Sequence, residues 1–221
     1  MSTENYGSYG ELGKSQATTP VSTDTVLIGV GACSGGVLNK AYVLTSVADY
    51  ATQLDGAVDD GFNLSELVFA AFQLANINKV ILIPVSHTKA FTQADYLGNA
   101  GLYTGVYAIA SYLRNNPSTV NLVVAPGVTD SAVLAALNGV CLKADGHWQS
   151  YMIYDLPENA DQINASNIAI PADIVEDKQL SSDHARAVWG HIKTSGGYII
   201  SGAAVQACIM ARTDADYGDP E

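Results

Sequence analysis

Four short apolar runs most constrain what this chain can fold into: residues 25–30 (TVLIGV), 79–83 (KVILI), 120–125 (VNLVVA) and 151–155 (YMIYD). Each is short and apolar with little polar alternation, the pattern of a strand covered on both faces. Residues 40–45 (KAYVLT) suit one more strand. Helical patterns lie between the runs. Ser46 opens a short helix, with Asp49 three residues on in a capping-box arrangement. Asn63 is expected at an N-cap with Glu66 at N3, and Leu64, Leu67, Val68, Ala71, Phe72 and Ala75 share one face. Residues 105–113 suit a short helix. Thr129 or Asp130 caps a helix whose apolar face holds Val133, Leu134, Leu137 and Cys141. Lys143 is expected in its last turn and Gly146 just beyond. Strands alternating with helices predict an α/β layered domain with a mixed, partly parallel sheet flanked by helices. Pro84 marks either the end of the central part of its strand or an edge.

The ends read differently. Residues 1–20, rich in Ser, Thr, Tyr and Gly and closed by Pro20, are expected to be a flexible arm. They have neither the basic nor the apolar segment of a signal peptide, and no apolar run is long enough to span a bilayer. Residues 158–182 are polar and lack periodicity. Residues 184–191 and 197–200 suggest two strands joined by KTSGG. A closing helix is expected from Ala203 to about Ala211, stopping on Arg212, Thr213 and Asp214. Its Ala, Val, Cys, Ile and Met leave almost no polar face, so it should be buried on nearly all sides. Arg212 and Asp214 are placed to pair with each other or to cap its last carbonyls. The α/β domain is expected over 21–213, and 214–221 as a connection to further chain, since a domain does not usually end a few residues after its most buried helix.

Charge narrows the function classes. The net charge of −12 repels phosphate backbones and anionic membranes, so neither direct nucleic-acid binding nor membrane binding by this domain is expected. Charged residues are 14% of the chain, below the roughly 25% of an average domain. The surface is therefore either uncharged and polar or largely covered by partners. Cys33, Cys141 and Cys208 are far apart and odd in number, which fits buried free thiols in a reducing compartment.

No chemical motif completes itself. The glycines of residues 29–36 (GVGACSGG) follow a strand, but Lys40 lacks the neighbours of a Walker loop and the next segment is strand-like, not helical. A strand-connecting turn is the expected reading, with no nucleotide. Asp130 and Asp155 stand near strand ends, with His147 nearby in sequence, where an α/β enzyme keeps its catalytic groups. No Gly-x-Ser-x-Gly elbow accompanies them. Capping accounts for Asp130 and a Leu-Pro turn for Asp155. His184 and His191, read on one strand, are seven apart and so face opposite sides; no metal site is expected. Trp148 and Trp189 are expected to be core or interface aromatics. Catalytic, cofactor-binding and metal residues are all expected to be none.

Several segments carry a family resemblance. They are Ser201-Gly-Ala-Ala-Val205 leading to Ala211-Arg-Thr-Asp214; Gly29-Val-Gly31-Ala; Asn39-Lys-Ala-Tyr-Val-Leu-Thr-Ser46 with Ala48-Asp49-Tyr50; Gly105-Val-Tyr-Ala; Val124-Ala-Pro-Gly127; Asp155-Leu-Pro157; and Ala165-Ser-Asn167. In this order and spacing the chain resembles the contractile tail sheath proteins of bacteriophages and phage-tail-like particles, over roughly residues 21–221. Ala41 stands where that family often has proline. The resemblance implies a structural subunit, not an enzyme, without cofactors. Its partners would be other sheath subunits in hexameric rings, the tail tube protein and the baseplate. Its place would be the virion, after assembly in the bacterial host cytoplasm. The rings would contract to drive the tube through the host envelope. It also implies that a C-terminal domain follows Asp214 in the family. Two other readings remain beside it: an α/β hydrolase-like enzyme, and a non-contractile virion-associated binding protein that shares only the fold.

Overall fold

The apolar runs become strands of one sheet, and their lack of polar alternation has a direct cause: helices cover both faces. In the computed structural model, residues 25–116, 121–141, 143–144, 147–148, 150–157 and 184–217 are described. The strands are β1 (Val26–Ala32), β2 (Tyr42–Leu44), β3 (Val80–Ser86), β4 (Asn121–Val124), β5 (Lys143–Ala144), β6 (His147–Trp148), β7 (Ser150–Asp155), β8 (Ala185–Val188), β9 (His191–Lys193) and β10 (Ile199–Ser201). Six of them form a sheet in the order β2-β3-β1-β4-β7-β8. The pairs β1–β3, β1–β4, β4–β7 and β7–β8 are parallel, and the edge strand β2 is antiparallel to β3. The sheet is therefore mixed and mostly parallel, as expected. β5 and β6, and likewise β9 and β10, make two-stranded antiparallel ribbons.

Alternate residues of each strand enter different cores. Leu27, Val80, Leu82, Leu122, Val124 and Ile153 point to one face. Helices α1 (Val47–Leu54), α2 (Asn63–Phe69, prolonged by a π-turn over Ala70–Leu74) and α6 (Gly202–Tyr217) cover that face. Val26, Ile28, Ile81, Ile83, Val123 and Met152 point to the other face. There α3 (Gln93–Leu97), α4 (Ala108–Asn115, entered by a 3-10 turn at Gly105–Tyr107) and α5 (Ser131–Val140) pack. A chain with two such cores buries most of its large aliphatic side chains, the dominant favourable term in folding.

Several local expectations hold. Ser46 Oγ accepts from Asp49 N at 3.2 Å, and the Asp49 carboxylate reaches back to Thr45 N at 2.8 Å and Thr45 Oγ1 at 2.7 Å. These bonds hold the Asp49 carboxyl below its ordinary range. Asp130 caps α5 by accepting from Ala132 N and Val133 N, both at 3.0 Å. Pro84 is tolerated inside β3 because pairing with β2 ends at Leu82.

Other expectations are corrected. Asn63 is the first residue of α2, with Phe62 at the N-cap; its side chain is used elsewhere. α5 ends at Val140, so Lys143 lies in β5 and not in a last helical turn. Residues 184–191 are not one strand. The segment breaks after Val188, so β8 joins the main sheet while β9 turns into the hairpin with β10. The closing helix runs through Arg212, Thr213 and Asp214 to Tyr217, because Thr25 and the end of α2 provide partners for its polar residues. Nor is it covered all round: Ile209 is 52% exposed. Residues 1–20, 158–182 and Gly146, and with them the Ala165–Asn167 motif, lie outside the described residues.

Candidate functional site

In an open parallel sheet a ligand sits beyond the carboxyl ends of the strands, at the point where strand order reverses. Here that point lies between β1 and β4, since the chain goes from β1 to β3 on one side and then crosses to β4 on the other. Asn63 fills it. Its Oδ1 accepts from Ala32 N, at the end of β1, at 2.7 Å. Its Nδ2 donates to Pro126 O, just past β4, at 2.9 Å and to Tyr96 Oη at 2.8 Å. One amide thus satisfies both strand ends and a buried phenol. The glycines of β1 make room for this. A Cβ at Gly31 would sit 2.5 Å from Asn63 Oδ1, and one at Gly29 would sit 2.2 Å from Leu67 Cδ2. They let α2 approach the sheet, and the expected strand-connecting turn follows, since β1 leads by a loop into antiparallel β2.

The second polar centre is Asp155, at the end of β7 and 2% exposed. Its Oδ2 accepts from Gly127 N at 2.8 Å and Ser201 Oγ at 2.5 Å, and its Oδ1 from Ala203 N at 2.9 Å. Ser201 Oγ in turn accepts from Ala204 N at 3.0 Å. Together they cap α6 and tie it to the turn after β4. Glu66 extends the seam by accepting from Ser201 N at 2.8 Å. Burial pushes the Glu66 carboxyl up, opposed by that bond and by nearby His191, with Asp155 adding to the rise. Ser65 Oγ lies 3.1 Å from Tyr198 Oη and donates to Phe62 O at 2.5 Å, closing the seam on the hairpin side.

Chemically this arrangement holds elements together. The start of α6, where free N–H groups would attract an anion, is occupied by the protein's own carboxylate and hydroxyl. Asp130 and Asp155, considered together from sequence, have separate partners: Asp130 caps α5 and also accepts from Gln93 Nε2 at 3.1 Å. The backbone of His147 lies in β6, and its side chain falls outside the described residues. His184 precedes β8, with its ring 6.5 Å from that of Tyr151, and His191 lies exposed in β9. They are thus on different segments, not opposite faces of one strand. Among the described residues no three His, Cys, Asp or Glu side chains converge as metal ligands. The three cysteines are buried. Burial raises the Cys33 thiol to about 11 and that of Cys141 to about 12, and pushes Cys208 higher, so none is a ready thiolate. Trp189 is 38% exposed beside β8. No described helix is long and apolar enough to cross a membrane.

Arg212 and Asp214 also serve as ties. Arg212 Nη1 donates to Asn76 O at 3.1 Å and Ala75 O at 3.4 Å, at the end of α2. Asp214 Oδ2 accepts from Thr25 Oγ1 at 2.5 Å. A shallow groove of about 490 Å³ lies beside them, lined by Leu74, Ala75, Asn76, Ile209, Arg212 and Thr213. Sequence reasoning missed Asn63 as a bridge and Glu66 and Ser201 as seam residues. Their partners are 31 to 135 positions away, and no local pattern announces such contacts.

No protein-family model and no curated protein sequence matches the chain. Solved structures do. A sheath tail protein from Desulfitobacterium hafniense matches with a TM-score of 0.51 at 12% identity, over 86% of this chain and 58% of that one. A sheath tail protein from Listeria innocua matches with a TM-score of 0.50 at 9% identity, over 86% and 56%. A chain in the cryo-EM structure of the anti-feeding prophage baseplate in its contracted state matches with a TM-score of 0.57 at 14% identity, over 92% and 53%. This chain thus spans a little over half the length of those it matches. With its mostly parallel six-stranded sheet, it has a fold like that of these sheath tail proteins.

Proposed function

We propose that this chain is a structural subunit of a contractile tail sheath. Its α/β domain, residues 21–213, packs with other copies in hexameric rings around a tail tube above a baseplate. Contraction of the rings drives the tube through the host cell envelope. The observation that carries this reading is the likeness in fold to two sheath tail proteins over 86% of the chain. The saturated seam supports a non-enzymatic role. The Asp155 carboxylate, best placed to act at the end of the parallel strands, already accepts three hydrogen bonds. On this reading the energy of contraction lies in contacts between subunits, and no nucleotide is consumed. The protein belongs to the virion.

Negative-stain electron microscopy of the product of the whole reading frame that encodes this chain tests the proposal. Hollow, helically striated tubes are expected. Discrete globular particles at high concentration would leave only the fold in common and reopen the enzyme and binding readings.

A further inference from the structure

Residues 25–48 and 97–129 contain no Asp or Glu, although the chain carries 22 acids. The fold brings these two stretches together at one corner. Asn39, in the loop after β1, accepts from Gly105 N through Oδ1 at 2.7 Å and donates its own N–H to Pro84 O at 2.6 Å. At this corner large apolar side chains face outward: Leu102 is 74% exposed, Val37 63%, Leu38 39% and Tyr103 36%. Two cations accompany them. Lys40 Nζ lies 5.1 Å from the Tyr42 ring centroid. The Arg114 guanidinium lies 5.7 Å from the Tyr103 ring and donates to Tyr103 Oη.

The corner is held in shape. Val37 N donates to Tyr42 Oη at 2.7 Å. Asn99 Oδ1 accepts from Gly101 N at 2.8 Å and Leu102 N at 3.1 Å. Asn39 and Tyr103 adopt left-handed backbone at φ 62° and 53°, a conformation asparagine accepts readily and tyrosine keeps only where surroundings impose it. A Cβ at Gly98 would meet Thr104 O at 2.1 Å, so the loop is closed against itself. Exposed apolar side chains on a preorganised surface mark a contact site, because little ordering entropy remains to be lost on binding.

We propose that this corner is a contact surface for a second copy of this chain, which brings an acidic, partly apolar part of its own surface against it. The proposal rests on the reading of the chain as a self-assembling subunit. Charge selects the occupant and the geometry. Lys40 and Arg114 are the charged side chains that the two stretches bring to the corner, with Asp55 at its edge beside Gly35, so pairing with itself would leave cations in excess. A copy with a net charge of −12 carries all its acids outside these stretches. The contact is therefore head-to-tail, between different surfaces of the two copies, and it propagates along a ring or helix instead of ending at a dimer.

The test is a photo-crosslinking residue at position 102, followed by mass spectrometry of the products. It is paired with sedimentation of the parent chain, of Val37→Asp/Leu102→Asp, and of Ile209→Asp as a control on the α2/α6 face. We expect crosslinks from position 102 to an acid-bearing surface of another copy. The double substitution should weaken self-association by at least about tenfold and the control by less than about twofold. Crosslinks only within one copy, crosslinks between two 102 positions, or equal association of parent and double variant would overturn the proposal. Microscopy of the reading-frame product separates the two failures. Tubes that survive Val37→Asp/Leu102→Asp would remove this surface and leave the sheath reading standing. A parent that forms no tubes would remove that reading, while the crosslinks still decide the surface.

Discussion

The loop after β1 and the last residue of β7 lie at the same end of the same sheet, and asparagine, serine or aspartate side chains make the hydrogen bonds at both. The end of β7 carries a seam whose centre, Asp155, is 2% exposed. The loop after β1 feeds a corner whose Val37 is 63% exposed. In the seam, polar side chains face inward and meet donors from the end of β1, the turn after β4, β10 and α6. At the corner, polar atoms face back to the backbone and apolar side chains face out. The seam spends its hydrogen bonds on holding layers together, and the corner uses them to present a surface. Stability should therefore reside in the first and association in the second.

The sharpest way to break this division is Asp155→Ala. It leaves Gly127 N, the Ser201 hydroxyl and Ala203 N without their acceptor and uncaps α6. Loss of about 3–5 kcal/mol is expected by chemical denaturation, read as a lower midpoint with an unchanged slope. Next is Asn63→Ala, which frees Ala32 N, Tyr96 Oη and Pro126 O at the strand-order reversal. About 2–3 kcal/mol should be lost, without a change in self-association.

Glu66→Gln sharpens the comparison through pH. The folded-state carboxyl lies above its ordinary value of 4.5, chiefly because burial disfavours the charge. Its favourable contribution is thus complete below 4.5 and lost as pH rises through the folded value. The glutamine keeps an acceptor for Ser201 N and carries no charge. The variant should be at least as stable as the parent at pH 7, and the difference should shrink as pH falls below 4.5. A variant clearly less stable at pH 7 would mean that the ionised group itself holds the seam. Smallest of all, Val37→Asp/Leu102→Asp should alter stability by no more than about 0.5 kcal/mol. A large loss in thermal unfolding would show the corner to be part of the core.

Much of the framework was legible in the sequence because it depends on neighbours along the chain. Strands covered on both faces have to be apolar at successive positions, so residues 25–30, 79–83 and 151–155 declared themselves. Ser46 and Asp130 cap helices two or three residues away, within reach of any local pattern. The alternation of these elements was enough for a mixed, layered α/β domain. The closing helix was visible too, but its continuation past Arg212 was not. That depends on Thr25 donating to Asp214 and on the carbonyls of Ala75 and Asn76 accepting from Arg212.

Tertiary structure alone decided what the polar residues are for. Asn63 has the composition of an N-cap, and nothing nearby in sequence says that its amide bridges β1, Tyr96 and the turn after β4. Asp155 at a strand end reads as a candidate acid until Gly127, Ser201 and Ala203 are seen to saturate it. Val37 and Leu102 are 65 positions apart, and their loops meet only in the fold, where Gly105 N donates to Asn39 Oδ1 at 2.7 Å. Local propensity and burial period are short-range properties carried by consecutive side chains. Hydrogen-bond partners and surface patches are properties of the folded layers, and they exist only once the sheet and its helices have met.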